Sequence, residues 1–293
     1  MEGNSSNTSR SIYLIGNPLE HSLSPQIQNA AFKHEHLPYE YKLMQVQKQD
    51  LHHVLEKFKK DGTVGFNVTI PYKTTIMQYL DKIKPVAIEI GAVNAVKIDK
   101  GELIGTNTDI MGIKTALSLS SFHIPQVKHV ILFGAGGAAY SACSLFSKYD
   151  LKLSIINRTK KHVEELKQYL ISKPDCRAQV EIFALEPTKL FSLLNSADLI
   201  INATPIGMWP NSKDDLIPFY VPQPYQWIFD MVYNPVQTPF VKKSIESGCK
   251  TISGLDMLIS QAAESFKWWT GVYPNTTLMK KVALDNLTLI SLE

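Results

Sequence analysis

The chain has 293 residues, 44% hydrophobic and 19% charged, and its 30 Lys and Arg against 27 Asp and Glu leave a net charge of +3. That length admits two domains, and the composition excludes a disordered chain. So small a charge, with no basic run, excludes nucleic acid or an acidic membrane surface as a partner. Three cysteines, Cys143, Cys176 and Cys249, stand in no metal or redox spacing and suit a reducing compartment. The start, Met1 to Arg10, is polar and lacks the apolar segment of a signal peptide. No later run is long enough to cross a bilayer, so the expected location is cytoplasmic.

In chain order, residues 11–16 (SIYLIG) read as a first strand that ends in a glycine turn. Ser24 followed by Pro25 has the form of a helix start, an N-cap with proline at N1, and the helix is predicted to run to about residue 36. A strand over 39–46 and a short amphipathic helix over 51–60 follow. The stretch Gly65-Phe66-Asn67-Val68-Thr69-Ile70-Pro71-Tyr72-Lys73 starts as a buried strand, β-branched and aromatic. Pro71 is expected to stop it and open a helix to about residue 80, which sets Lys73 at a strand-to-helix turn where backbone groups converge on ligands. A β-like pair beginning at 91–96, with its second member at 102–105, leads into Asn107-Thr108-Asp109.

A second unit is predicted from Asp109. A helix over 111–119 precedes 127–133, an apolar strand with no alternation, as in a parallel sheet buried on both faces. The chain then breaks at Gly134-Ala135-Gly136-Gly137-Ala138-Ala139 and resumes as a helix over 140–148. Strands at 151–156, 180–184, 199–202, 227–230 and 250–252 continue a strand–helix alternation, the mark of an α/β fold. The last segment, 256–292, reads as two helices broken around Gly271–Pro274.

Gly134-x-Gly136-x-x-Ala139 follows a strand and opens a helix, the context that the dinucleotide fingerprint requires. A pyrophosphate there would lie over a helix N-terminus, whose free N–H groups and dipole favour an anion. An enzyme using NAD usually places Asp or Glu at the end of the next strand, to hold the ribose 2′-hydroxyl. Here that place is filled by Asn157-Arg158-Thr159-Lys160-Lys161. A carboxylate would repel a 2′-phosphate, whereas Arg158 can grip it with two hydrogen bonds. The pattern predicts NADP. The paired histidines, His34 with His36 and His52 with His53, have no cysteine partners and read as solvated helix faces, and no metal is expected.

The succession of motifs resembles the shikimate dehydrogenase family from end to end. The resemblance rests on His21-Ser22-Leu23-Ser24-Pro25, on the stretch from Gly65 to Lys73, on Gly91-Ala92-Val93-Asn94 and on Asn107-Thr108-Asp109. It continues through the glycine loop, Asn157-Arg158-Thr159, Asn202-Ala203-Thr204-Pro205-Ile206-Gly207-Met208 and Asp230-Met231-Val232-Tyr233-Asn234-Pro235. It closes with Met257-Leu258-Ile259-Ser260-Gln261-Ala262, Phe266 and Trp269-Thr270-Gly271.

The resemblance implies an α/β substrate domain over 1–108 plus 254–293, and a Rossmann-type NADP domain over 109–253. The C-terminal helices would return to the first domain. It implies reversible NADPH-dependent reduction of 3-dehydroshikimate to shikimate, on the route to chorismate and the aromatic amino acids. Ser22 and Ser24 would bind the substrate carboxylate. Asn67, Thr69, Lys73, Asn94, Asp109 and Gln261 would hold the ring, with Tyr233 a further contact and Lys73 and Asp109 the catalytic pair. Gly134, Ala135, Gly136, Gly137, Ala138, Asn157, Arg158, Thr159, Lys160, Thr204, Gly254 and Met257 would hold NADP. The implied partners are small molecules alone, the chain acting as a monomer or homodimer.

Plainer readings stand beside these: Ser24 as an N-cap only, Tyr233 as a packing residue. Thr106, Ala95 and His162 depart from the common pattern, and His162 stands near where the family often supplies a second arginine for the 2′-phosphate. A quinate/shikimate dehydrogenase that also accepts NAD, and a binding protein that senses NADP or shikimate without turnover, are the competing functions. Retention of both Lys73 and Asp109 argues against the sensor.

Overall fold

The structure, a computed structural model, describes residues 10–290. The polar start over 1–9 and the expected helix end at Leu292 lie outside the described residues. The chain divides into two compact units. One takes the residues up to Ile88, Val93–Thr108 and the chain from Ala262 onward; the other takes Glu89–Ala92 and Asp109–Gln261.

The chain first passes through β1 (Arg10–Gly16), α1 (Ser24–His34), β2 (Tyr39–Gln45), α2 (Leu51–Phe58) and β3 (Gly65–Val68). It goes on through β4 (Lys82–Ile83), α3 (Pro85–Ile90), β5 (Ala95–Asp99) and β6 (Glu102–Thr106). The strands make one mixed sheet in the order β2-β1-β3-β5-β6-β4. β1 lies parallel to both β2 and β3, because the helices α1 and α2 supply the crossovers that parallel pairing needs. β5 and β6 are antiparallel and joined by Lys100-Gly101, both with positive φ (51° and 79°), the backbone of a tight two-residue hairpin.

All four residues of β3 are buried between its neighbours. Phe58, Phe66, Val68, Ile76, Val96 and Leu103 form the core beneath, and the ring of Tyr13 stacks on Phe58 at 4.8 Å. On α1, Ile27, Ala31 and Phe32 face inward. Phe32 stacks on Phe266 at 4.7 Å, an aromatic burial that contributes about 2–3 kcal/mol.

Two local expectations change. Pro71 opens no helix: the Ile70–Pro71 peptide is cis and Tyr72 N–H donates to Thr69 O at 2.9 Å, a turn with cis-proline at its third position. Only a 3₁₀ segment, Thr75–Tyr79, follows. At α1 the N-cap is Leu23, and Ser24 is the first helical residue. The cap donor need is met from further back, since Ser22 Oγ lies 3.3 Å from Ser24 N.

The second unit runs through α4 (Asp109–Leu119), β7 (His129–Phe133), α5 (Gly137–Phe146), β8 (Lys152–Ile156), α6 (Lys160–Ile171) and β9 (Gln179–Phe183). It continues with α7 (Pro187–Asn195), β10 (Leu199–Asn202), β11 (Trp227–Asp230), α8 (Pro239–Glu246) and β12 (Lys250–Ser253). Its strands are all parallel, in the order β12-β11-β10-β7-β8-β9. Every residue of β7 and β10 is buried, as the unbroken apolar runs require of a sheet covered on both faces. The strand order reverses between β7 and β10, the point at which such sheets bind ligands.

The chain ends with α9 (Gly254–Thr270) and α10 (Thr276–Ile290). The sequence signals set the return to the first domain at Gly254, whereas the compact units divide after Gln261, within α9. The physical reason is close packing on α4: a Cβ on Gly112 would meet Met257 O at 2.7 Å and Gln261 Cβ at 3.1 Å. The short piece Glu89–Ala92 joins the second unit for a similar reason. Lys173 Nζ donates to Glu89 O, Lys148 pairs with the Glu89 carboxylate, and the Tyr169 ring lies against Gly91.

Candidate functional site

In the first unit, the expected substrate residues collect at one edge of the sheet. Ser22 and Ser24 follow the carboxyl end of β1, and Thr69 and Lys73 follow that of β3. Asn94 precedes β5, which runs antiparallel to β3 and so starts at the same edge, with Asn67 opposite Ala95. Ala95 in turn faces Thr106, the last residue of β6. Thr69 is anchored by its N–H to Ile15 O at 2.9 Å, and Val93 N–H donates to Lys73 O at 2.7 Å. The turn that holds Lys73 is thereby tied to the segment that holds Asn94.

Behind this edge lies a buried polar cluster. Tyr41 Oη donates to Asn67 Oδ1 at 2.8 Å, and Asn67 Nδ2 donates to Asn94 O at 2.9 Å and to Ser265 Oγ at 3.0 Å. Asn94 Nδ2 donates to Thr108 Oγ1 at 2.9 Å while its Oδ1 accepts from Thr108 N–H at 2.7 Å. Thr108 Oγ1 and Ser265 Oγ are 3.0 Å apart. Both amide hydrogens of Asn67 are taken by protein groups, which leaves it one lone pair of Oδ1 to offer a ligand. A buried network this well satisfied fixes the orientation of every member. Thr108 stood in the motif Asn107-Thr108-Asp109 without a role of its own; Tyr41 and Ser265 were not singled out from sequence, each a common residue whose partners lie far along the chain, up to 198 positions away.

Asp109, the next residue after Thr108, opens α4 and is 3% exposed. Gln261 lies on α9 and donates to Leu258 O at 3.0 Å. Tyr233 is half-buried in the loop after β11.

The second unit carries the dinucleotide loop at its switch point. Gly134 directly follows β7 with φ +118°, and a Cβ there would stand 2.8 Å from Ala203 O, so only glycine fits. Gly136 caps α5 and has open space where its Cβ would be, which leaves room for a phosphate against the backbone. Ala135, Gly137 and Ala138 complete a small-residue rim.

At the end of the adjacent β8, Asn157 Nδ2 donates to Thr159 O at 3.2 Å, and Arg158, Thr159 and Lys160 are exposed. The first turn of α6 has no acidic residue. Lys160 and Lys161 pair with Glu164 and Glu165 one turn along, at 3.4 and 3.8 Å. Gly254 begins α9, where a Cβ would meet Asp230 O at 2.5 Å and Val232 O at 2.6 Å. Thr204 lies beside Gly134, its Cγ2 3.3 Å from the position of that glycine's missing Cβ. These features fit NADP: an anion cradle, a guanidinium at the next strand end, and no carboxylate at that strand end or in the first turn of α6 to reject the 2′-phosphate.

Other reactive groups are spoken for. Burial pushes the Cys143 thiol up, far from nucleophilic range. His129 is buried between Ser154 Oγ (2.9 Å) and Ser196 Oγ (3.0 Å), and burial lowers its pKa. Among the described residues no three His, Cys, Asp or Glu side chains group as a metal site, and no helix is long and apolar enough to cross a membrane.

A parallel sheet in this order, with a glycine loop at the reversal and a guanidinium at the next strand end, defines a Rossmann-type dinucleotide-binding protein that carries a second α/β unit. Comparison with known proteins gives the family. Residues 14–96 match the shikimate dehydrogenase substrate binding domain, and 254–284 the shikimate 5'-dehydrogenase C-terminal domain. A shikimate dehydrogenase (NADP(+)) of Methanocaldococcus jannaschii is 41% identical over 94% of this chain and 97% of its own. A crystal structure of a shikimate dehydrogenase with NADP+ superposes with TM-score 0.85 at 40% identity, covering 95% of this chain and 96% of that one. The shikimate 5-dehydrogenase of Listeria monocytogenes, solved with shikimate and NAD, gives 0.82 at 34%, covering 96% and 98%. The chain belongs to the shikimate dehydrogenase family.

Proposed function

We propose that this chain catalyses the reversible NADPH-dependent reduction of 3-dehydroshikimate to shikimate, acting in the cytoplasm as a monomer or homodimer. The observation that carries the reading is Lys73 in its turn, tied through Val93 to the buried Asn94–Thr108 cluster, in a chain whose second unit has an NADP cradle. The first unit supplies the substrate domain and the second the cofactor domain. NADPH, when bound, supplies the hydride.

The protein's own groups do the rest. Ser22 and Ser24 hold the substrate carboxylate by two hydroxyls, so a charge is bound without burying a counter-charge. Thr69, Asn94, Asn67 Oδ1, Gln261 and Tyr233 fix the ring by its hydroxyls. Negative charge that develops on the C3 oxygen is met by the Lys73 ammonium, which stabilises it and then delivers the proton. Asp109, the second member of the catalytic pair, accepts from the substrate hydroxyl beside the reacting carbon and so orients it. On the cofactor side, Gly134 to Ala138 and Thr204 hold the pyrophosphate, and Arg158, with Asn157, Thr159 and Lys160, reads the 2′-phosphate. Gly254 and Met257 border the nicotinamide end.

The test is absorbance at 340 nm with purified protein against shikimate, quinate, NADP and NAD. NADP should exceed NAD by at least about tenfold in kcat/KM, or about 1.4 kcal/mol. Arg158→Ala should damage NADP use and leave NAD use nearly intact; equal loss with both would remove Arg158 from phosphate recognition. Shikimate should exceed quinate by about 10², the usual limit on rejecting an added hydroxyl. A relative solved with NAD gives the alternative, a quinate/shikimate dehydrogenase accepting NAD, its own outcome: comparable rates with both acids and both cofactors.

A further inference from the structure

Asp230 is a buried carboxylate that the chemistry above does not use. It is the last residue of β11, 1% exposed, and it stands level with Asn202 on β10 and Ser253 on β12 at the carboxyl edge of the parallel sheet. Among the described residues no cation pairs with it. Its Oδ1 accepts from Asn202 Nδ2 and from Val232 N–H, both at 3.0 Å, and its Oδ2 accepts from the Thr238 hydroxyl at 2.6 Å. A charge held so deep by neutral donors alone is costly, so the arrangement invites a reason.

The partners supply one. Asn202, with its amide nitrogen committed to Asp230, turns its Oδ1 to Thr204, accepting from the backbone N–H at 3.0 Å and the hydroxyl at 2.7 Å. Thr204 borders the glycine loop through Gly134. Val232 immediately precedes Tyr233. Thr238, by giving its one hydrogen to Asp230, leaves a lone pair to cap α8 at Val241 N–H, 3.2 Å away. One carboxylate therefore sets the conformations of the loop after β10 and the loop after β11.

We propose that Asp230 is a positioning residue: through Asn202 it fixes Thr204 against the dinucleotide loop, and through Val232 it fixes the loop that carries Tyr233. The inference rests on the functional reading above for Tyr233 as a substrate contact, whereas the Thr204 branch depends only on NADP binding.

The experiment compares full-length wild type with Asp230→Asn, Asp230→Ala, Asn202→Ala and Thr238→Val. Three readouts are taken: the Kd for NADPH by fluorescence, KM for shikimate against kcat, and Tm. Asp230→Asn keeps two acceptor bonds on its oxygen and can donate to Thr238, and it should stay within about threefold of wild type in all constants. Asp230→Ala should weaken NADPH roughly tenfold, the effect of one buried hydrogen-bond network losing its anchor, and raise KM for shikimate severalfold with a smaller change in kcat. Asn202→Ala should weaken NADPH and spare shikimate, and it serves if Asp230→Ala does not fold. Thr238→Val, which loses the α8 cap, should lower Tm and leave both ligands alone.

Lower Tm with wild-type ligand constants in Asp230→Ala, or wild-type NADPH affinity in Asn202→Ala, would overturn the proposal. A wild type that binds NADPH but turns over no shikimate would instead overturn the functional reading, and the NADPH arm would still decide the Thr204 branch.

Discussion

Lys73 draws its role from where the backbone puts it. Its carbonyl is held by Val93 N–H at 2.7 Å, and the turn before it is closed by Tyr72 N–H to Thr69 O. Its side chain leaves a fixed platform at the sheet edge. Lys73→Met should lower kcat by roughly 10²–10⁴-fold, the usual loss for a general acid and charge stabiliser. KM for shikimate should change far less, because the carboxylate is held by Ser22 and Ser24; near-normal turnover would take Lys73 out of the mechanism.

Asp230 offers a different kind of test. Burial raises its pKa from 3.8 to about 6, so between those values the folded chain holds a proton that the unfolded chain has released. Stability linked to this group is then greatest below about pH 4 and is lost as pH rises through about 6. The swing amounts to at most about 3 kcal/mol. Urea midpoints of wild type minus those of Asp230→Asn should rise as pH falls from 7 to 5. A flat difference would show that the carboxylate is not desolvated as its surroundings imply.

Among the elements, the glycine loop between β7 and α5 is the most demanding. Gly134 combines φ +118° with Ala203 O at 2.8 Å from its absent Cβ, so Gly134→Ala should cost NADPH affinity at least about tenfold and lower Tm by several degrees. Unchanged affinity in a calorimetric titration would mean that the loop adapts without loss. This loop was legible from sequence because its requirement is local: a strand ending in four apolar residues, 130–133, then small residues, then a helix. The strands of the second sheet were legible for the same reason.

Other elements were not. The helix expected from Pro71 is absent because a cis peptide closes a turn there, and residue type alone does not distinguish that from proline at N1. β4 has two residues and α3 has six, too short for either periodicity to register. The network joining Tyr41, Asn67, Asn94, Thr108 and Ser265 was half visible. Its asparagines stood in motifs, whereas Tyr41 and Ser265 matter only through contacts made in the folded chain.

The order in which the chain visits its two units bears on how each can be made. The second unit is almost continuous, with all six of its strands between His129 and Ser253. The fragment 109–261 should therefore fold cooperatively by itself and retain a measurable affinity for NADPH; an unfolded or molten fragment would contradict the division. The first unit is discontinuous. Its α1 packs Phe32 on Phe266 and anchors Gln28 Nε2 on Ala262 O at 3.0 Å, and Asn67 needs Ser265. A nascent chain emerging from the ribosome would present this unit's strands first, yet lack Ala262, Ser265 and Phe266 until the second unit has been made. The N-terminal segment must wait with its apolar surfaces exposed while the later-made unit folds ahead of it, which makes that interval, rather than the finished enzyme, the stage most in need of a chaperone.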